Sequence, residues 1–116
     1  HINAHATSTP VGDIAEYTAL LRVFGDRVKQ IPVTATKAAT GHLLGGTGAL
    51  EAIFTVLAVN NRIAPPTINL ENQDPAIPLS VSSSAQALGD GPQLAISNSF
   101  GFGGHNAVIA IRSYDS

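Results

Sequence analysis

Cysteine, methionine and tryptophan are all absent from this chain of 116 residues. Without cysteine there is no disulfide framework, no thiolate metal ligand and no cysteine nucleophile within these residues. Charge is scarce too. Only 12% of residues are charged and the formal net charge is -2, so the chain carries neither a basic footprint for nucleic acid nor a polybasic membrane patch. Long apolar runs are missing: Glu51 interrupts the best candidate, which falls short of the roughly 20 residues a membrane span requires. The N-terminal His-Ile-Asn-Ala-His lacks the cationic and apolar stretches of a targeting segment. It reads as the middle of a strand, without an initiating methionine, so the chain is expected to be a piece of a longer protein.

What is present suffices for one compact domain, since 44% of residues are hydrophobic. Ile2 to Ala6 predicts a short strand, and Thr7-Ser8-Thr9-Pro10 supplies helix-capping hydroxyls followed by a first-turn proline. Ile14, Ala15, Leu20, Leu21 and Phe24 then recur at helical spacing up to Gly25, which predicts an amphipathic helix. Ile31 to Thr36 predicts a buried strand, with Lys37 just beyond it. Residues 38–62 read as one buried helix, apolar on nearly every face, whose Gly41, Gly45, Gly46 and Gly48 would let another backbone approach closely. Thr67 to Leu70 predicts a short extended piece, and Leu79 to Ala85 a strand fraying into a loop. Leu94 to Ser97 and Ala107 to Ser113 predict strands joined by the turn Phe100-Gly101-Phe102-Gly103-Gly104, a β-hairpin. The class is mixed α/β.

Three segments put chemically capable side chains where strands end: Asn3-Ala4-His5-Ala6-Thr7-Ser8-Thr9, Lys37-Ala38-Ala39-Thr40-Gly41-His42 and Asn98-Ser99-Phe100-Gly101-Phe102-Gly103-Gly104. In open α/β sheets, strand ends are where ligand sites form. The three closely resemble the C-terminal signatures of the β-ketoacyl synthases, the type II fatty-acid enzymes that elongate acyl chains on acyl carrier protein, and Pro65-Pro66-Thr67-Ile68-Asn69 matches as well. The matches follow the family's order from His5 to Asn106. The resemblance implies a thiolase-like fold, of which residues 1–116 would be most of the C-terminal half: a mixed five-stranded sheet with a buried glycine-rich helix. The family's nucleophilic cysteine belongs to the other half, in keeping with its absence here.

The implied reaction is a decarboxylating Claisen condensation of an acyl thioester with malonyl-acyl carrier protein. His5 and His42 match the histidines whose N–H groups stabilise the enolate oxygen, and Lys37 the lysine that supports them. Glu51 matches the acidic partner of that lysine. Thr7 and Thr9 match hydroxyls that bind the phosphopantetheine arm, and Phe102 matches an aromatic gate, with Phe100 expected to pack beside it. No cofactor of the protein's own is implied, because the phosphopantetheine is carried by the acyl carrier protein. That carrier and a second copy of the chain, forming a homodimer, are the implied partners.

Other readings stand beside these. Single histidines are usually structural, a Lys37–Glu51 pair is worth little if exposed, and Thr7 and Thr9 can simply be helix caps. A zinc site from His5, His42 and His105 is a competing chemistry, disfavoured by its spacing and by nearby Lys37. The chain could also be a catalytically silent interaction fragment, or part of a polyketide ketosynthase domain; the short Arg112 to Ser116 tail favours a stand-alone synthase. Two departures from the usual pattern are Ala6, where bacterial members usually have glycine, and His105, where threonine is usual. The alanine is familiar among organellar relatives and suggests a mitochondrial source, with bacterial cytoplasm or plastid as alternatives.

Overall fold

A computed structural model describes residues 1–114. The last two residues of the Arg112 to Ser116 tail therefore lie outside the described part.

The chain runs β1 (Ile2–Asn3), α1 (Pro10–Phe24), a 3-10 turn (Gly25–Gln30), β2 (Pro32–Thr34), α2 (Lys37–Thr40), a 3-10 turn (Leu44–Gly46), α3 (Thr47–Asn61) and β3 (Ile63–Ala64). It continues through β4 (Ser80–Val81), β5 (Gln86–Ala87), β6 (Leu94–Phe100), a 3-10 turn (Phe102–Gly104) and β7 (Asn106–Arg112). Five strands form one sheet in the order β4-β2-β1-β6-β7, while β3 and β5 form a small antiparallel pair. Strand β1 is central and parallel to both neighbours, with Ile2 opposite Val33 and Ile96. Strand β7 closes the sheet as the antiparallel arm of the expected hairpin, Ala95 facing Ile111 and Ser99 facing Ala107.

Side chains on a strand alternate between faces, so Ile2 and Asn3 serve opposite layers. Ile2 joins Ala4, Leu20, Val28 and Val33 in the core beneath α1, with Tyr17, Leu21 and Phe24 packed against it. Fully burying such aliphatic side chains contributes about 1.5–3 kcal/mol each. Asn3 instead enters a polar layer that reaches α3: Thr36 Oγ1 lies 3.3 Å from both its amide atoms and 3.5 Å from Glu51 Oε1. Helix α1 starts as its sequence predicts, Thr9 Oγ1 accepting from the Gly12 N–H at 3.2 Å and Pro10 taking the first helical position. Its apolar stripe is narrower than expected, since Ile14 is exposed.

Several expectations need correction. Residues 38–62 do not form one helix: α2 ends at Gly41, a separate turn covers Leu44–Gly46, and α3 begins only at Thr47. Gly41 enforces the first break, with φ 70° and ψ -175°, a region essentially reserved for glycine. A close approach does not explain Gly45 or Gly46, because a side chain at Gly45 would meet nothing within 4 Å and one at Gly46 only Leu43, whereas Gly48 does lie against β6, a side chain there meeting Ser99 Oγ at 3.7 Å. Within residues 1–114, α3 buries one face and leaves an apolar one uncovered. Thr47, Glu51, Thr55, Ala58 and Val59 are buried, whereas Ile53, Val56 and Leu57 are exposed. Thr67 to Leu70 is a turn, and the extended backbone before it is Ile63–Ala64. The expected strand over Leu79 to Ala85 is only Ser80–Val81, followed by a second at Gln86–Ala87. Short polar runs such as Ser82–Ser84 bring no apolar face that could hold a longer strand in register. Among the described residues, no helix is long and apolar enough to cross a membrane.

Candidate active site

Three parallel strands end side by side, and each delivers one piece of the site. The chain leaves β1 into His5, leaves β2 into Thr36 and Lys37, and at the end of β6 presents Asn98 to Phe100. A cavity of about 960 Å³ opens there, lined by His5, Thr7, Thr9, His42, Thr47, Phe100 and Phe102 among others.

The His5 and His42 rings meet edge to face, centroids 5.7 Å apart and planes at 89°. On another side of His5 lies Phe100, at 5.6 Å and 63°. Phe100 thus packs on the histidine, and not as a support for Phe102, whose side chain is 93% exposed on the hairpin turn. Burial first, then the positive charge of Lys37, holds the His5 imidazole below its ordinary range; Glu16 pulls the other way. The ring therefore favours the neutral form, and its Nδ1 is buried without a protein partner. In His42, Nδ1 faces the Leu44 N–H at 3.1 Å and the Thr47 hydroxyl at 3.1 Å. An N–H pointed at Nδ1 requires a lone pair there, which leaves the ring proton on Nε2.

Lys37 is buried, and its Nζ sits 2.6 Å from Glu51 Oε1 and 2.6 Å from the His5 carbonyl oxygen. The two charged side chains are 5% and 1% exposed, which separates the pair from an ordinary surface bridge. Burial pushes the Glu51 carboxyl up, against the hydrogen bond and charge of Lys37 that pull it down.

Glu16 is a site residue that the sequence motifs do not single out. Its carboxylate accepts the backbone N–H groups of His5 and Ala6, each at 2.8 Å, and the Asn98 amide at 3.1 Å. One carboxylate thus ties β1, α1 and β6 together behind His5. The available signal was position: Glu16 shares a helical stripe with Leu20 and Phe24, and an acid on an apolar stripe is buried for a reason. Ala6, held by that carboxylate, has φ 39°, a strained setting for a residue with a β-carbon. This gives the departure at Ala6 a backbone context independent of source.

Thr9 caps α1, and Thr7 Oγ1 lies 3.4 Å from Thr9 Oγ1, so the two hydroxyls sit together on the cavity wall. His105 does not join the other two imidazoles: the described residues contain no group of three or more His, Cys, Asp or Glu side chains able to hold a metal ion. The three-histidine zinc reading is thereby set aside.

The family profile "Beta-ketoacyl synthase, C-terminal domain" matches residues 1–71. Among curated proteins, the 3-oxoacyl-acyl-carrier-protein synthase 2 of Synechocystis sp. is 49% identical over 115 residues, covering 98% of this chain and 27% of its own length. The protein of the same name from Staphylococcus aureus is 45% identical over 117 residues, covering 100% and 28%. The chain thus spans little more than a quarter of the curated relatives it matches. Among solved structures, the ishigamide ketosynthase/chain length factor superposes with TM-score 0.89 at 36% identity, over 98% of this chain and 28% of that one. A type II polyketide acyl-carrier protein in complex with its ketosynthase matches with TM-score 0.89 at 31% identity, over 97% and 28%.

Proposed function

Because this chain belongs to the β-ketoacyl synthase family, whose C-terminal domain it carries, we propose that it supplies the histidine half of a decarboxylating Claisen condensation site. The observation that carries this reading is the pair of imidazoles at 5.7 Å and 89°, one with its Nδ1 occupied by donors so that Nε2–H is left for a ligand.

In this reaction the malonyl carbon–carbon bond breaks, carbon dioxide leaves, and the electron pair becomes an enolate on the thioester. The negative oxygen needs donors fixed in advance, and the N–H groups of His5 and His42 are suited to it. The enolate carbon then attacks the carbonyl of an acyl group held as a thioester on a cysteine outside these residues, forming the new carbon–carbon bond as the carbon–sulfur bond breaks and the cysteine leaves as thiolate. Lys37 holds the His5 backbone, and Glu51 neutralises the ammonium. Thr7 and Thr9 would hydrogen-bond the phosphopantetheine arm of an acyl carrier protein, and exposed Phe102 would gate the acyl side of the cavity, with glycines around it to absorb the movement. No further cofactor is called for.

The assembly would be a homodimer, its subunits completed by the rest of the chain over the exposed Ile53, Val56, Leu57, Val108 and Ile109. The curated relatives above are bacterial, so the mitochondrial expectation drawn from Ala6 is left without support, and the bacterial cytoplasm is the compartment we favour.

The experiment is malonyl-acyl carrier protein decarboxylation by the full-length protein with His5→Ala and His42→Ala. Each change should lower the rate at least a hundredfold. Two variants that decarboxylate at the normal rate would overturn the assignment. A polyketide ketosynthase is the second reading, favoured by the type II polyketide ketosynthase among the neighbours. A full-length protein that extends β-ketoacyl primers better than saturated ones would select it.

A further inference from the structure

Thr47 opens α3 yet does no capping. A threonine at a helix start ordinarily accepts an N–H from the next turn, but here the cap residue is Gly46 and no side chain bonds the helix end. The hydroxyl faces backward. Its Oγ1 accepts the Leu43 N–H at 2.6 Å and lies 3.1 Å from His42 Nδ1. Thr47 is only 4% exposed, so these are its bonds and not a share of solvent.

The direction of each contact follows from the donors around His42 Nδ1. Leu43 N–H takes one of the hydroxyl's two lone pairs, and the second could accept a ring N–H, so the neighbour that decides is the Leu44 N–H: it needs a lone pair on His42 Nδ1, and the Thr47 O–H therefore donates to that nitrogen. Leu44 N–H points at the same nitrogen from 3.1 Å. Two donors then converge on one lone pair: turning the ring over would put the Cδ2–H against both, and moving the ring proton to Nδ1 would set an N–H against the Leu44 N–H.

The segment that carries these donors is otherwise poorly anchored. Within residues 1–114, Leu43 and Leu44 are 48% and 70% exposed, so apolar burial by these residues does not hold them. Leu44 also sits at φ 52°, which a residue with a β-carbon adopts only when something compels it. The Thr47 hydroxyl bonds both His42 and Leu43, the two residues leading into that turn.

We propose that Thr47 is a positioning residue for His42: its hydroxyl holds the imidazole as the Nε2–H tautomer and fixes the Leu43–Leu44 turn that supplies the second donor. The consequence for turnover rests on the reading of His42 as an enolate-oxygen donor. The tautomer itself does not.

The test uses the full-length protein with nitrogen-15-labelled histidine, and the ring spectrum of His42 is assigned by its loss in His42→Ala. In the unaltered protein His42 should show a single Nε2–H tautomer. Thr47→Val, which keeps the branched shape and removes the hydroxyl, should give a mixture of tautomers and lower kcat for malonyl-acyl carrier protein decarboxylation about tenfold, with KM within about twofold. Thr47→Ser should restore both the spectrum and the rate. A Nδ1–H tautomer in the unaltered protein overturns the proposal, as does a Thr47→Val protein with unchanged spectrum, or a Thr47→Ser protein that behaves like it. If valine disrupts folding, Thr47→Ala takes its place with the same expected readings. Should the unaltered protein fail to decarboxylate malonyl thioesters, the function proposed above fails, while the spectra still decide the part played by Thr47.

Discussion

Lys37 Nζ lies 2.6 Å from the carbonyl oxygen of His5, a residue 32 positions earlier in the chain. The ammonium holds the backbone that carries one imidazole, and the same nitrogen is held in turn by Glu51 at 2.6 Å. A buried charge that supports its neighbour in this way is costly to strand, and the outcomes of doing so can be stated.

Lys37→Met should destabilise the full-length protein by about 3–5 kcal/mol, because it leaves the Glu51 carboxylate buried without its cation. Glu51→Gln should cost a comparable amount by stranding the ammonium. The double variant should recover much of the loss. Denaturant unfolding of the four proteins measures the cycle, and purely additive losses would count against a coupled pair.

Glu16→Gln should destabilise by about 1–3 kcal/mol. The carboxylate presents acceptors to two backbone N–H groups, and an amide replaces one acceptor with a donor facing an N–H. The effect should appear first as faster hydrogen exchange at the His5 and Ala6 amides, which among the described residues donate to that side chain. Unchanged protection at both would refute the clamp.

Burial, with Lys37 adding to it, holds the His5 pKa below 6.5. A folded pKa beneath the unfolded one means that the unfolded chain takes up the proton first as pH falls. His5 therefore contributes stability that is fully present above about pH 6.5 and is lost as pH drops toward the folded value. Against His5→Asn, the original protein should show the steeper fall in melting temperature between pH 7 and 5. Parallel curves would remove His5 from the account.

Gly41→Ala should cost about 1–3 kcal/mol although a methyl group there would meet nothing within 4 Å. The penalty is the backbone conformation alone. Ala6→Gly runs the other way, relieving a residue at φ 39°, and should raise stability by up to about 1 kcal/mol. Melting curves of the two variants that moved in the same direction would contradict this assignment of strain.

The identities of the chemically capable residues were legible in the sequence. His5, Lys37 and His42 each follow a strand or the short helix after it, the Thr9-Pro10 helix start is locally encoded, and the β6–β7 hairpin is set by alternation around a glycine-rich turn. Local propensity decides such features, because each depends on groups a few residues apart. The tertiary structure decided the rest. Whether the Lys37–Glu51 pair is buried, and whether Glu16 faces solvent or Asn98 from 82 residues away, depends on strand register and on which helix covers which face. The break between Thr40 and Thr47 was signalled only by Gly41, Gly45 and Gly46, glycines that close packing within one helix would also account for. Only the folded chain shows Gly41 turning the backbone out of the helix, so that His42 and the hydroxyl of Thr47 come to face each other.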